Sequence, residues 1–491
     1  MDWLLTSVLF VFSLVVFVYI VVSVVFIVTE NRSPSSTLAW ILVLYFLPIV
    51  GLFLYIFFGR NWRVRSKEKI RSIQRMEMLT KKALGNIRDK EVFRVNRMLL
   101  RDTSLRTRKM LEFLRRSGRS CTLFTTGNTV RVFQNGSEKF STLLCDLKRA
   151  DQFIHMEYFI WRSDDLTCKI RDVLVQKVKE GVEVRIVIDP MGSIMTKRSY
   201  IRDMRKAGIQ VRYFFNSFAP LRFTTFNYLL HRKIVVIDGN IGYVGGMNMG
   251  EEYVDGGKDF ASWRDVHIRV EGDSVHVLQA TFAENWFQLT KKEDLFGEKY
   301  YPKNLVHDDG VPMQIVTSGP HVAQGATRQI FLSMSVLARE RLYIQSPYFI
   351  PDDSLFDTLK FAALSGVDVR IMITGVFDKR LAYWAAFSYM EELLNAGVRI
   401  YHYNSGFFHA KTINIDGAIC TVGTTNLDVR SFYVDHEVNA IIYDSRIASE
   451  LEDSFYNDIA QCKEFTLKDY RMLGRFVRLR NSFIRLLSPL M

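Results

Sequence analysis

The sequence predicts an α/β fold built twice, two copies of a helix-covered sheet, set behind an N-terminal pair of membrane-crossing helices. Three observations lead there. First, His231-Arg232-Lys233 followed by Asp238-Gly239, Gly245-Gly246 and Asn248 recurs as His409-Ala410-Lys411 followed by Asp416-Gly417, Gly423-Thr424 and Asn426, with every offset kept. Second, flanking units recur in the same order: Phe153 to Asp165 resembles Leu342 to Asp353, Gly181 to Ile186 resembles Gly366 to Ile371, and Ala207 to Val211 resembles Ala396 to Ile400. The spacing between copies drifts while the order holds, which marks a duplicated domain with loop insertions and not a short-period solenoid. Third, strand patterns alternate with helical ones such as Ile170 to Glu180 and Leu355 to Leu364. Such alternation implies helices layered over a central sheet.

The chain divides in order as follows. Residues 1–60 hold two apolar runs, Leu4 to Val28 and Leu38 to Phe58, separated by a polar gap that contains Glu30, Asn31, Arg32 and Pro34. Each is long enough for a membrane helix, which needs about 20 apolar residues. Pro48 and Gly51 inside the second run are tolerated in lipid. No basic region precedes the first run and no small-residue cleavage site follows it, so a signal peptide is the poorer reading. Arg60, Arg63, Arg65, Lys67, Lys69 and Arg71 come next, and basic flanks prefer the cytoplasmic side. Everything beyond residue 60 is therefore expected in the cytoplasm, held at the cell membrane.

Residues 61–125 are basic and rich in helix formers, and are expected to lie as helices along the membrane surface. Residues 126–305 and 306–466 are the two halves, each ending in a strand-rich unit that carries the His-x-Lys motif. Residues 467–491 intersperse Phe476, Val477, Phe483, Ile484 and Leu487 with Arg475, Arg478, Arg480 and Arg485, the pattern either of a packed terminal helix or of a basic amphipathic helix resting on a membrane.

With 48% hydrophobic residues, among them 37 Phe, the chain has ample core, and wholesale disorder is excluded. A net charge of +13 favours an anionic partner, nucleic acid or lipid, without choosing between them. Five scattered cysteines with no C-x-x-C spacing argue against a disulfide framework or a zinc site and suit a reducing compartment.

On a strand, His231 and Lys233 project from one face, as do His409 and Lys411, and the residue between them points away. Each copy thus offers an imidazole beside an ammonium, and two copies read as two halves of one site. A neutral imidazole attacks phosphorus and carries the transferred group, while a second one protonates the leaving alkoxide and later deprotonates the incoming alcohol. Lys233, Lys411, Asn248 and Asn426 would stabilise charge on the non-bridging oxygens, and Gly245, Gly246 and Gly423 would let backbone approach the phosphate. Asp265 and Glu437, on equivalent strands, are candidates to orient the imidazoles and raise their pKa. Asp238 and Asp416 complete the catalytic motif as its turn and hydrogen-bonding members. His155, His267 and His436 lack a lysine partner and are expected to be structural or rim residues, and Trp263 to serve packing. The chemistry requires neither a metal nor another cofactor.

These residues resemble the signature of the phospholipase D superfamily: His-x-Lys, four residues, Asp, six residues, Gly-Gly or Gly-Ser/Thr, one residue, Asn. Thr37 to Trp40 and Ser346 to Asp352, with the two apolar runs, narrow the resemblance to bacterial cardiolipin synthases of that type over essentially the full chain. The resemblance implies two α/β/α sandwich domains related by a pseudo-twofold axis, with His231, Lys233 and Asn248 facing His409, Lys411 and Asn426. It implies transfer of a phosphatidyl group from one phosphatidylglycerol to another through a phosphohistidine, with His231 as nucleophile and His409 as general acid and base. An anionic phospholipid would be both donor and acceptor, with the membrane as partner and nucleic acid excluded. A membrane-bound hydrolase of the same chemistry, another phosphatidyltransferase, and a scaffold that has lost catalysis are the alternatives. Two departures stand out: Leu229-Leu230 precede the first His where relatives have Arg-Asn, and Thr424 replaces a small residue.

Overall fold

A computed structural model of the chain describes residues 2–29, 34–47, 50–51, 55, 67–101, 104–116, 122–214, 228–303, 310–319, 325–486 and 488. It forms two compact units, one comprising Met1–Arg65 with Asn216–Asn227, the other Ser66–Phe215 with Tyr228–Met491.

In the first unit, helix Asp2–Thr29 and helix Pro34–Phe46 meet around Ile27, Leu44 and Tyr55, with Trp40 edge-on to Tyr55 at 5.3 Å. Their outward side chains are apolar, with Phe10, Phe17 and Phe46 each about two-thirds exposed or more. Several side chains of the first helix, and most of the expected second span beyond Leu47, lie outside the described residues. Among the described residues no helix is long and apolar enough to cross a membrane.

The second unit is built on one continuous sheet. In the first half its strands are β1 (Phe124–Phe133), β2 (Phe153–Tyr158), β3 (Glu183–Ile188), β4 (Gln210–Tyr213), β5 (Ile234–Ile237), β6 (Ile241–Gly245) and β7 (His267–Glu271). The second half supplies β8 (Val311–Ser318), β9 (Arg341–Gln345), β10 (Asp368–Thr374), β11 (Arg399–Tyr403), β12 (Thr412–Ile415), β13 (Ile419–Gly423) and β14 (Glu437–Ile442), and β15 (Cys462–Phe465) adds an edge. The order is β15-β11-β10-β9-β12-β13-β14-β8-β1-β7-β6-β5-β2-β3-β4. Read outward from the β8–β1 seam, both halves run through equivalent strands in the same sequence, which is the duplication expressed as symmetry. The seam pairs are antiparallel, Phe124 with Gln314 and Thr125 with Met313.

Helices cover both faces, so interior strands read as unbroken apolar runs, such as Ile-Val-Val-Ile in β5 with all four residues buried. One core cluster crosses the seam, joining Val236 and Val244 to Val422 and Val438. Two more lie under the outer helices of each half.

The basic helices Lys67–Ala83, Gly85–Arg101 and Leu105–Arg116 form as expected. Their buried face, however, is taken up by this sheet body. Arg94 pairs with Asp273 in a buried contact, Arg75 with Glu293 at 2.8 Å and Arg106 with Asp416, while Met110 and Leu111 enter the core.

Candidate active site

The His-x-Lys tripeptides are not regular strand residues: β5 begins at Ile234 and β12 at Thr412. The expectation of a strand through the histidines is corrected by where their backbones go. Just before each strand the chain leaves its own ladder to bond with the other half. The His231 amide donates to the His436 carbonyl at 3.0 Å, and the His436 amide to Leu229 at 2.8 Å. In the equivalent place the His409 amide donates to the Arg264 carbonyl at 2.8 Å, beside a short parallel ladder of Phe407–Phe408 with Trp263–Arg264.

This exchange places each imidazole on a carboxylate of the opposite half. His231 Nδ1 lies 2.9 Å from Glu437 Oε1, and His409 Nδ1 lies 2.7 Å from Asp265 Oδ2. A carboxylate accepts, so Nδ1 carries the proton and Nε2 keeps a free lone pair. Asp265 and Glu437 therefore sit where orienting groups belong, although spacing alone did not reveal the crossing. Lys233 Nζ donates to the His231 carbonyl and Lys411 Nζ to the His409 carbonyl, both at 2.6 Å.

All of these groups are nearly or fully enclosed, and burial dominates their titration. Burial, with the ammonium groups of Lys233, Lys411 and Lys379, holds His231 well below its ordinary pKa. Burial and Lys411 bring His409 down to about 3, against the upward pull of Asp265. The expected net rise is thus reversed: the carboxylate pulls upward, but burial and the lysines prevail. Burial also lowers Lys233 to about 7 and Lys411 to about 8, and raises Glu437 to about 7. Burial works to raise Asp265 as well, but His409 and Lys411 outweigh it and hold that carboxyl below its usual value. Lys411 acts on His231 and Lys233 on His409, so the two copies share one electrostatic neighbourhood.

The glycines are also required by their neighbours within the protein. A Cβ on Gly246 would fall 2.0 Å from Asp265 Oδ1, one on Gly245 2.5 Å from the His267 backbone, and one on Gly423 2.3 Å from Asn439 Cγ. They make room for the orienting strands. Thr424, the counterpart of Gly246, answers the difference between the two carboxylates: its hydroxyl donates to Glu437 and its backbone amide to Val438 at 2.9 Å.

Asp238 and Asp416 are placed apart from the imidazoles, at the far ends of β5 and β12, which corrects their inclusion in the catalytic set. Both have φ of 54° and are followed by a glycine in the same left-handed region, the conformation of a tight hairpin turn. The Asp238 carboxylate accepts amides of Asp151, Gln152 and Phe153, and that of Asp416 accepts amides of Arg339, Glu340 and Arg341. They anchor β2 and β9.

Asn248 is held by the Ile160 amide at 3.1 Å and donates to the Tyr253 hydroxyl. Asn426 Oδ1 is buried without a hydrogen-bond partner. Asn426 and His231, one from each motif, line a single cavity of about 460 Å³. Its wall includes Phe159, Leu229, Tyr348, Ile350, Lys379, Arg380 and Arg430. Leu229 is thus apolar lining, and Leu230 is core, with its amide held by Asp189 at 2.8 Å. His409 is 7% exposed and is not part of that wall. Tyr348 belongs to the recurring unit Leu342 to Asp353, whereas Lys379, Arg380 and Arg430 have no counterpart motif in the first half and so escape a reading of repeats. The Lys-Arg pair opening helix Arg380–Asn395 was the available signal.

His155, His267 and His436 are all buried. His155 stacks on Phe282 and bonds Gln279 at 2.8 Å. Trp263 packs on Tyr253, Phe260 and Phe407 as expected, and its ring also reaches His409 at 5.2 Å.

Comparison with known proteins follows the same outline. A family model described as "Cardiolipin synthase, PLD-like domain" matches residues 143–286 and 335–459, and one described as "Phospholipase D-nuclease N-terminal" matches residues 15–60. The chain is 40% identical over 495 residues to a cardiolipin synthase of Oceanobacillus iheyensis, covering 99% of this chain and 100% of that one. It is 40% identical to the major cardiolipin synthase ClsA of Bacillus subtilis, with 98% of each covered. Among solved structures, a phosphatidylserine synthase of Haemophilus influenzae superposes with a TM-score of 0.60 at 13% identity, covering 77% of this chain and 100% of that chain, a likeness of fold.

Proposed function

This chain belongs to the cardiolipin synthases with phospholipase D-like domains, and from that membership we propose that it moves the phosphatidyl group of one phosphatidylglycerol onto the headgroup hydroxyl of a second, releasing glycerol. The observation that carries this reading is the crossed pairing of His231 with Glu437 and His409 with Asp265. Two imidazoles, each with one nitrogen fixed, are what a two-step displacement at one phosphorus requires.

His231, which opens on the cavity, is the nucleophile. Its Nε2 bonds to phosphorus as the bond from phosphorus to the glycerol oxygen breaks. His409 delivers the proton to that oxygen. The seated phosphodiester is an anion, and its charge works against the burial that keeps the free imidazole neutral. In the second step neutral His409 takes the proton of the acceptor hydroxyl, whose oxygen attacks phosphorus and breaks the phosphorus–nitrogen bond. Cardiolipin forms, His231 is restored and His409 ends protonated. Lys233, Lys411, Asn248 and Asn426 supply donors to the non-bridging oxygens, where charge builds in the transition state.

The same reading sets Leu4 to Val28 and Leu38 to Phe58 across the cell membrane, with the halves at 126–305 and 306–466 on the cytoplasmic side. The N-terminal family match and the basic run after Phe58 support it.

Purified chain given phosphatidylglycerol as sole lipid tests the proposal. Cardiolipin and free glycerol in equal amounts are expected, and phosphatidic acid alone would overturn transfer in favour of hydrolysis. Denaturing quench of the unaltered chain during turnover, followed by mass spectrometry, is expected to find the phosphatidyl adduct on His231, and an adduct on His409 would reverse the two roles.

A further inference from the structure

The C-terminal helix Arg475–Arg485 holds four arginines and no acidic residue. One face is packed: Ile484 and Asn481 are buried, Arg480 lies over the Trp384 ring at 4.1 Å and Arg485 over Tyr389 at 4.5 Å. Both aromatic rings belong to helix Arg380–Asn395. The opposite side is left open. Phe476 is 88% exposed, Leu479 67%, Phe483 68% and Leu486 72%. At 3.6 residues per turn these four fall on one stripe, with Arg475 and Arg478 along one edge and Arg480 along the other.

Packing on the body does not explain that stripe, since the packed face uses other residues. An isolated exposed leucine is ordinary, but four large apolar side chains in register on one helix are not. An apolar stripe edged by arginines, with no acid on the helix, fits a surface that is apolar below and anionic above. We propose that this helix is a second membrane contact, seating its apolar stripe in the acyl region of an anionic bilayer with Arg475 and Arg478 at the phosphate level.

The placement bears on the reaction. The supporting helix Arg380–Asn395 lines the cavity at its first turn through Arg380, Leu381 and Ala382, and Trp384 follows one turn on. Leu381 is itself 49% exposed and nearby Phe377 44%. A bilayer held by the C-terminal helix is thus held by the element that forms the cavity wall, so a lipid headgroup can enter without leaving the membrane surface. The inference rests on the proposed reaction only in taking a lipid as substrate.

The test uses the full chain in vesicles, in a background lacking other reactive cysteines, with a bimane attached after Phe483→Cys or, on the polar side, after Ser482→Cys. With acyl-brominated phosphatidylglycerol, quenching at position 483 is expected to exceed that at 482 by about two-fold or more, and to vanish in brominated phosphatidylcholine. Equal quenching at both positions, or in both lipids, would overturn the proposal. The triple variant Phe476→Ser/Leu479→Ser/Phe483→Ser is expected to lose about ten-fold in turnover of bilayer phosphatidylglycerol while keeping turnover of a monomeric short-chain phosphatidylglycerol. Equal losses on both substrates, or no loss on either, would also overturn it. Should the unaltered chain make no cardiolipin, the proposed reaction fails and the quenching comparison still decides the contact.

Discussion

His231 and Glu437, 206 positions apart in sequence, meet at 2.9 Å across the boundary between the two repeats. The carboxylate that fixes the first imidazole therefore lies in the second repeat, and Asp265 of the first repeat does the same for His409.

Replacing either carboxylate is expected to disable the histidine of the other half. Asp265→Asn and Glu437→Gln keep size and shape but remove the acceptor charge, and loss of the correct tautomer in such a pair lowers turnover by about 10²–10⁴-fold. Single-turnover assays on each variant should show loss of kcat with little change in KM. A variant with unaltered kcat would separate that carboxylate from catalysis.

Gly246 and Thr424 occupy equivalent positions with opposite tolerances. A methyl at Gly246 would overlap the Asp265 carboxylate, so Gly246→Ala is expected to cut turnover by about 10²-fold by displacing it. Thr424→Gly removes one hydrogen bond to Glu437 and is expected to reduce stability by about 1–2 kcal/mol, read from denaturation midpoints. Equal effects of the two changes would contradict the distinction.

The two motif asparagines should part company as well. Asn248 has an amide acceptor role and a tyrosine partner, so Asn248→Ala should lower stability by about 1–3 kcal/mol. Asn426 lines the cavity and its carbonyl has no partner to lose, so Asn426→Ala should spare the melting temperature, while loss of the Nδ2 donor to a non-bridging oxygen should reduce kcat/KM.

Asp238→Ala and Asp416→Ala each leave three backbone amides without their carboxylate acceptor. A loss of about 1–3 kcal/mol in stability is expected for each. Turnover below the melting transition should stay near that of the unaltered chain, and a loss of kcat in folded protein would return these residues to the catalytic set.

Buried lysine and histidine give the same sign of pH dependence in two different windows. The folded pKa of Lys233 is depressed to about 7, so between there and the ordinary lysine value the unfolded chain binds the extra proton. Stability from this group therefore rises with pH over that window. Lys233→Met should stabilise the chain more at pH 6 than at pH 10. His409, depressed to about 3, costs stability as pH falls from about 6.5 towards 3, because only the unfolded chain takes up the proton. His409→Gln should flatten that acid limb in urea titrations, and an unchanged limb would place the sensitivity elsewhere.

Much of this was legible before any coordinates. The duplicated His-x-Lys spacing identified both imidazoles and both ammonium groups, and alternation of strand and helix identified the layered fold. What spacing does not encode is partnership. Asp265 and Glu437 stand on matched strands, and nothing in their positions says that each serves the far copy. That follows from β1 and β8 joining two sheets into one, a long-range pairing with no local signature. The crowding at Gly246 is hidden for a related reason: the Asp265 carboxylate that needs its space comes close only in the fold. For the basic helices after residue 66, charge and helix-forming composition point to a membrane surface and do not show the apolar face that Met110 and Leu111 turn inward.

Because each imidazole bonds a carboxylate that the other repeat encodes, under the proposed mechanism neither repeat can decay on its own. A lesion in one copy would silence chemistry in both, so natural selection would see the pair as a single unit. The two copies are free to diverge in their outer walls, as the Lys379 and Arg380 side of the cavity has, but are bound to co-evolve at the carboxylates.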